Sequence, residues 1–393
     1  MNSIERVKAA IHFKGPDRVP VWKVGLGDVI HLFPLPAKSW EPGYGEDEEG
    51  LFPFLGVDEF MRFRLWKWNR PDWAKAPRYK KFLTIAREEI DEFGVIWNRD
   101  DSNSTMGHPG RPSLTNWDDY DEYVERYNPN PFDPSRYSAF IKMAKLVARK
   151  RYRMAQLGFQ GPYTTASAIR GFENFMMDHM EYPENTKKLL EFLTDFYINQ
   201  ARAWFKYGAD PHGFIIYDDL AEQTRPFMSL AMFREFYESV FKRLFDEIHK
   251  LGAEVHFHSC GKIDTLIPTL LEWGVDSLEL DSPRMTGYTD FAPFRGEVMV
   301  WGCVNIQSIY TQSGPEECER EVWHMVRNLG TGKGGFGAYF YPQPHHIEVP
   351  KANIKAFQRG LNKYGVYKKI PARWWDCKVP EVWDVDKVPP LPS

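Results

Sequence analysis

The sequence predicts a (β/α)8 barrel, and three observations carry that expectation. From about residue 150 onward, short apolar runs of β type alternate with long helical patterns. Prolines stand near the starts of the helical patterns, at Pro183, Pro315 and Pro350, where a missing N–H costs nothing. No glycine-rich phosphate loop follows any of the runs, which disfavours a doubly wound sheet.

The N-terminal stretch MNSIERVKAAIHFKGPDRVP reads as a charged amphipathic helix ended by Gly15-Pro16, and VPVW (19–22) as the first apolar run. Residues 23–90 break the rhythm. Rich in Pro, Trp and Phe (HLFPLPAKSWEPGYG, FRLWKWNRPDWAKAP), they read as a long insertion on the barrel mouth. The runs that follow are MAQLGF (154–159), GFIIY (213–217), EVHFH (254–258), DSLEL (276–280), VMVWG (298–302) and GFGAYFY (335–341). Helical segments lie near 183–208, 229–251, 262–273, 315–329 and 351–364. Strands alternating with helices pair in parallel through right-handed crossovers, and with VPVW the count comes close to eight. One barrel domain is therefore expected over 1–365. The Pro- and Trp-studded residues 366–393 are expected to form an extended arm, packed on this chain or on a second copy of it in a homodimer.

Composition narrows the function. The chain of 393 residues is 43% hydrophobic and 26% charged, with a formal net charge of −4. No basic helix face points to nucleic acid. No run of about 18 apolar residues points to a membrane span, and the N-terminal helix lacks the apolar core of a signal peptide. Four cysteines are too few for a disulfide framework and read as reduced thiols, so a cytoplasmic location is expected.

The chemistry gathers where strands end, because in a parallel barrel the strand C-termini open onto the mouth. In HFHSCGK (256–262), residues two apart share a strand face, so His256, His258 and Cys260 point the same way. His258 with Cys260 forms a soft, zinc-preferring pair, and His256, deeper in the strand, reads as packing or support. A third ligand could come from Cys303, His345 or His346, which all follow later runs. Asp218 and Asp219 close GFIIYDD and are expected to be catalytic carboxylates. Adjacent strand residues face opposite sides, so one of them meets the cavity, and Asp219, nearer the mouth, is favoured; the other meets the helix layer or caps residues 220–223. Substrate contacts are assigned to Trp22, Asn305, Gln307 and Tyr341. Trp40, Trp66, Trp68 and Trp73 of the insertion suit an aromatic substrate.

These blocks together resemble the uroporphyrinogen decarboxylase superfamily. The likeness runs through GPYTTASAIRGFENFMMDHMEYPE (161–184), IIYDDLAEQ, the HSCG block with its following helix and LIP, VWGCVNIQ and VPKANIKAFQRGL. ERVKAAIHFKGPDRVPVW and DEFGVIWNRDDS (91–102) are similar to its N-terminal signatures. The resemblance implies a (β/α)8 barrel with its site at the mouth, and two branches of activity. True decarboxylases use arginines after the P-x-W signature to bind a tetrapyrrole's carboxylates; VPVWKVGLGDVI has none. The zinc- and corrinoid-dependent methyltransferases start their zinc motif with His-x-Cys, as at His258 and Cys260, although their distant cysteine is replaced here by YPQPHH. The resemblance thus implies a methyltransferase component acting on a small substrate such as an aryl methyl ether, with zinc as Lewis acid. No D-x-H-x-x-G motif occurs, so the corrinoid (cobalamin) is expected on a separate protein that docks at the mouth. The alternatives are a metal-free decarboxylase and a non-catalytic ligand-binding barrel.

Overall fold

A computed structural model describes residues 1–23, 27–42, 51–54, 71–75, 86–99, 107–147, 150–370 and 372–375. Eight strands form one sheet: β1 (Val21–Trp22), β2 (Val29–Leu32), β3 (Tyr152–Gln156), β4 (Gly213–Tyr217), β5 (Glu254–His258), β6 (Ser277–Leu280), β7 (Met299–Gly302) and β8 (Phe336–Tyr339). Their spatial order is β1-β8-β7-β6-β5-β4-β3-β2, and every neighbouring pair is parallel. The helices that return the chain are α1 (Ser3–Ile11), α2 (Ser138–Val147), α3 (Pro162–Arg170), α4 (Phe172–Glu181), α5 (Pro183–Lys206), α6 (Leu230–Lys250), α7 (Ile267–Trp273), α8 (Pro315–Leu329) and α9 (Lys351–Tyr364). This is the expected (β/α)8 barrel. None of the described helices is long and apolar enough to cross a membrane.

Local signals account for the element ends. Asn2 and Glu5 form a reciprocal capping box on α1. Ser229 accepts the Met232 N–H at the start of α6 (3.3 Å). Gly274 ends α7 in the left-handed region (φ 110°), a conformation that disfavours a Cβ.

One strand differs from the expectation. β2 lies at 29–32, inside the stretch read as insertion, so the departure from the barrel begins after it. No room for a crossover helix separates it from β1, and the strand–helix rhythm gave no cue. Beyond β2, Phe52–Pro53, Arg87–Ile90, Ile96–Arg99 and His108–Arg111 pair into a four-stranded sheet of their own. Phe54, the residue after the first of these strands, and Trp97 stack on each other (4.5 Å) and meet Phe159, just past β3, edge-on. The small sheet therefore sits against the mouth. Trp40 and Trp73 contact each other (5.7 Å) and pack on Leu51, Ile90 and Ile96, so they are packing residues. Trp66, Trp68 and most of the expected C-terminal arm fall outside the described residues.

Which strand faces point inward is decided by the outer contacts. Phe214 meets Phe205 of α5 (6.2 Å), and Phe257 meets Phe241 of α6 (5.4 Å). The alternate residues Ile215, Tyr217, His256 and His258 therefore line the interior. The floor of the barrel is a hydrogen-bonded layer. Tyr152 Oη donates to Glu254 (2.9 Å) and lies 2.8 Å from His256 Nε2, whose Nδ1 pairs with Ser277 Oγ. His256 is thus a satisfied interior residue.

The barrel is drawn together at β1 and β2 by Asp28. Its N–H donates to Val21 O (2.6 Å), and its side chain accepts from Val21 N–H (2.9 Å), Ser3 Oγ (2.7 Å), Arg6 (2.7 Å) and Arg18 (2.9 Å). Both Asp28 and Arg6 are buried. Burial pushes the Asp28 pKa up, but Arg18, Ser3 and the Val21 N–H pull it further down, below the ordinary carboxylate value. Asp28→Ala leaves Arg6 paired with Asp17 but removes the acceptor shared by Ser3, Arg6, Arg18 and the Val21 N–H, and is expected to cost about 1–3 kcal/mol, read as a lowered urea midpoint. In the wild type this contribution is present above about pH 4 and is lost as pH falls through the depressed folded-state value. A variant as stable as the wild type would contradict this role for Asp28.

Candidate metal centre at the barrel mouth

The site grows from strand register. His258 on β5 pairs with Tyr217 on β4 and with Glu279 on β6. In-register neighbours face the same side, so all three enter the barrel at one level. The Tyr217 ring lies 5.0 Å from the His258 ring, and Glu279 Oε2 pairs with His258 Nδ1. A carboxylate on Nδ1 holds the imidazole with Nε2 aimed at the mouth, the arrangement that orients a metal-binding histidine. His258 Nε2 is 3.4 Å from Cys260 Sγ and 3.4 Å from Asp219 Oδ1, and Asp219 Oδ1 accepts the Cys260 N–H (2.9 Å).

Nitrogen, sulfur and carboxylate ligand atoms thus lie within 4.8 Å of one another at His258, Cys260 and Asp219. Ligand atoms of His258, Glu279 and Asp281 lie equally close together, and this second group shares the imidazole. The cluster is rich in acid. Among the ion pairs of the described residues, His258 alone faces Asp219 and Glu279, with no lysine or arginine. Glu279 is fully buried, and its Oε1 has no hydrogen-bond partner among the described residues. Burial pushes the His258 pKa down, but the charge of Glu279 and its other partners raise it well above the ordinary value. For Asp219, burial is outweighed by His258 and the Cys260 N–H, which hold the carboxyl low. Burial pushes Cys260 up to about 11 and Asp281 up to about 7. Such a donor set, with excess negative charge and a pre-oriented imidazole, fits a divalent cation of the zinc type.

Asp219 meets the cavity and Asp218 does not. Asp218 is fully buried on the outer face of β4, where it accepts from Tyr163 N–H (3.0 Å), Thr164 N–H (2.7 Å) and Thr164 Oγ1 (2.7 Å). These are the first donors of α3, whose own N-cap position is Gly161, with no side chain to cap it. Asp218 therefore caps the helix, reaching across from the strand with both oxygens hydrogen-bonded, and lies away from the cavity that Asp219 meets. The cap falls on α3 and not on residues 220–223, because the outward face of β4 meets that helix.

The other expected site residues spread more widely. Cys303 is fully buried beyond β7 and joins neither metal-capable group; nor do His345 and His346, whose rings contact each other (4.1 Å) in the loop after β8. Tyr341 is partly buried and lies in the field of Asp281, Cys260 and Cys303. Trp22 lies inside the barrel against Tyr339 (4.9 Å), Trp301 (5.8 Å) and His31 (5.4 Å). Asn305 is buried and braces its own turn by accepting the Gln307 N–H (2.9 Å), while the Gln307 side chain is exposed. Glu279 and Asp281 were missed from sequence. The usable signal was DSLELDS, where two carboxylates alternate with leucines on one strand face.

A parallel barrel with a His/Cys/Asp cluster at its C-terminal mouth defines the class. Comparison with known proteins supplies the family. Residues 105–357, well over half the chain, match uroporphyrinogen decarboxylase (URO-D), and the protein belongs to that family. A methylated-thiol–coenzyme M methyltransferase of Methanosarcina mazei is 28% identical over 121 residues, 31% of this chain and 31% of that protein. The match thus spans about a third of that relative's length. A solved methyltransferase structure from Methanosarcina mazei superposes with a TM-score of 0.61 over 93% of this chain and 99% of that one. At 14% identity this likeness speaks for the fold alone. Both relatives are named as methyltransferases.

The two aspartates should separate in experiment. Asp218→Ala removes the acceptor of the Tyr163 N–H and of both Thr164 donors and is expected to cost about 1–3 kcal/mol of stability with zinc affinity unchanged. Asp219→Ala, on a partly exposed side chain, is expected to leave the urea midpoint near wild type. It should weaken zinc binding by at least the roughly 10–100-fold that loss of a ligand's supporting partner costs. The reverse pattern would exchange the two assignments.

Proposed function

We propose that the protein is a zinc-dependent methyltransferase component that moves a methyl group between a small methyl ether and a corrinoid carried by a separate protein. The observation that carries this reading is the convergence of His258 Nε2, Cys260 Sγ and the Asp219 carboxylate, with Glu279 fixing the imidazole. Bound there, zinc supplies Lewis acidity toward the oxygen that loses the methyl group. The remaining work belongs to the chain. Glu279 holds the His258 ring so that Nε2 faces the mouth, and the Cys260 N–H fixes Asp219 beside it. The rings of Trp22, Tyr217, Phe33 and Tyr339 line the interior wall, which suits the flat face of an aryl ether. The mouth is narrowed by the small sheet through Phe159, which favours exclusion of water from the reacting atoms.

A second reading, a methylated thiol as substrate, draws support from the name of the Methanosarcina relative, and the same cluster would serve a sulfur atom equally well. The decarboxylase reading is disfavoured because no arginine follows Trp22 before Arg62 to meet a tetrapyrrole's carboxylates.

The test uses zinc-loaded protein, free cob(I)alamin as acceptor and either an aryl methyl ether or methanethiol as donor. Methylcob(III)alamin is expected to form with one of these donors, to vanish on chelation and to return with zinc. Cys260→Ala should remain folded and lose the metal. Absence of methyl transfer from either donor, or coproporphyrinogen produced from uroporphyrinogen, overturns the reading.

A further inference from the structure

His31 has no task in the chemistry described so far. It lies on β2, inside the barrel, in register with Met154. Its ring is 4.1 Å from Phe33, 5.4 Å from Trp22 and 6.1 Å from Tyr217. Tyr217 in turn lies beside His258, so one aromatic ring separates the two histidines. The other imidazole groups of the interior are partnered: His256 by Tyr152 and Ser277, His258 by Glu279. His31 Nε2, by contrast, is enclosed and makes no hydrogen bond among the described residues.

An unpaired imidazole destabilises a protein interior, and phenylalanine would fill the same space among these rings without that cost. Burial pushes the His31 pKa down to about 3, so the ring is neutral at physiological pH, with one donor and one acceptor nitrogen. The residue as a whole is only partly enclosed.

We propose that His31 is a substrate-binding residue: its imidazole hydrogen-bonds to a polar substituent, a hydroxyl or carboxylate, of an aryl methyl ether that lies along Tyr217 with its ether oxygen toward His258 and Cys260. The assignment rests on the methyl-ether reading above and deepens it. The preferred substrate carries a second polar group on the ring, remote from the methoxy group.

The experiment compares wild type, His31→Phe and His31→Gln, all zinc-loaded, with 4-methoxyphenol and methoxybenzene as probes. Turnover with free cob(I)alamin converts each ether, cob(I)alamin and a proton into the phenol and methylcob(III)alamin; binding is measured separately by calorimetry. His31→Phe is expected to raise KM and Kd for 4-methoxyphenol by roughly tenfold while kcat stays within about twofold, the signature of a lost binding contact. Methoxybenzene, without the hydroxyl, should weaken by no more than about twofold, and His31→Gln should restore most of the affinity for 4-methoxyphenol. Equal losses for both probes, or none for either, overturn the assignment. If the wild type turns over neither probe but binds 4-methoxyphenol in a His31-dependent way, the methyl-ether reading fails and the binding role of His31 stands. If it binds neither probe, both fall.

Discussion

Everything at the mouth depends on the register of β5 against β6. That register sets His258 opposite Glu279 and Ser277 opposite His256, so each inward histidine finds a polar partner at its own level. A slip of one residue would turn Phe257 inward and send both histidines into the helix layer, since side chains alternate faces along a strand. The outer contacts of Phe257 with Phe241 and Phe245 hold the strand against that slip. Packing on the outside of the barrel thereby fixes the chemistry on the inside.

The interior is unusually polar for a barrel core. Its floor spends Glu254, Tyr152, His256 and Ser277 on one hydrogen-bonded layer, and that layer is tied to α1 through Lys8 and His12. Such a layer is structural, at the end of the barrel where stability resides. One level higher, the polar groups stop balancing. Among the described residues Glu279 keeps a buried oxygen without a partner, and Asp219, Asp281 and Cys260 gather around a single imidazole. An uncompensated cluster of this kind costs stability, and its natural counterpart is a cation. The contrast between the satisfied floor and the unsatisfied mouth separates fold from function in this molecule.

The sequence made much of this readable. The strands after residue 150 were visible as apolar runs because both faces of a parallel strand are buried, and α5, α6, α8 and α9 stood out through their starting residues and length. The shared face of His258 and Cys260 followed from a period of two. β2 escaped because Val29–Leu32 follows β1 without a helix, and Pro- and Trp-rich chain comes directly after it. The partners of His258 escaped for a different reason. Asp219 and Glu279 reach it from neighbouring strands, at sequence separations of 39 and 21 residues, and only the closed sheet brings them together. The division between Asp218 and Asp219 was legible as an alternation of faces. Which face was inside depended on Phe214 meeting Phe205, a contact that no local pattern encodes.

The central claim is that one sulfur from Cys260, one nitrogen from His258 and a carboxylate oxygen from Asp219 hold a single zinc ion. Zinc K-edge X-ray absorption on the purified, zinc-loaded protein tests it most directly. The expected spectrum contains one sulfur neighbour at about 2.3 Å, and lighter nitrogen and oxygen neighbours at about 2.0–2.2 Å, with an imidazole signature in the outer shells. Two or more sulfur neighbours would bring Cys303 or another thiol into the site, and a shell of oxygen alone would place the ion elsewhere; either result contradicts the assignment.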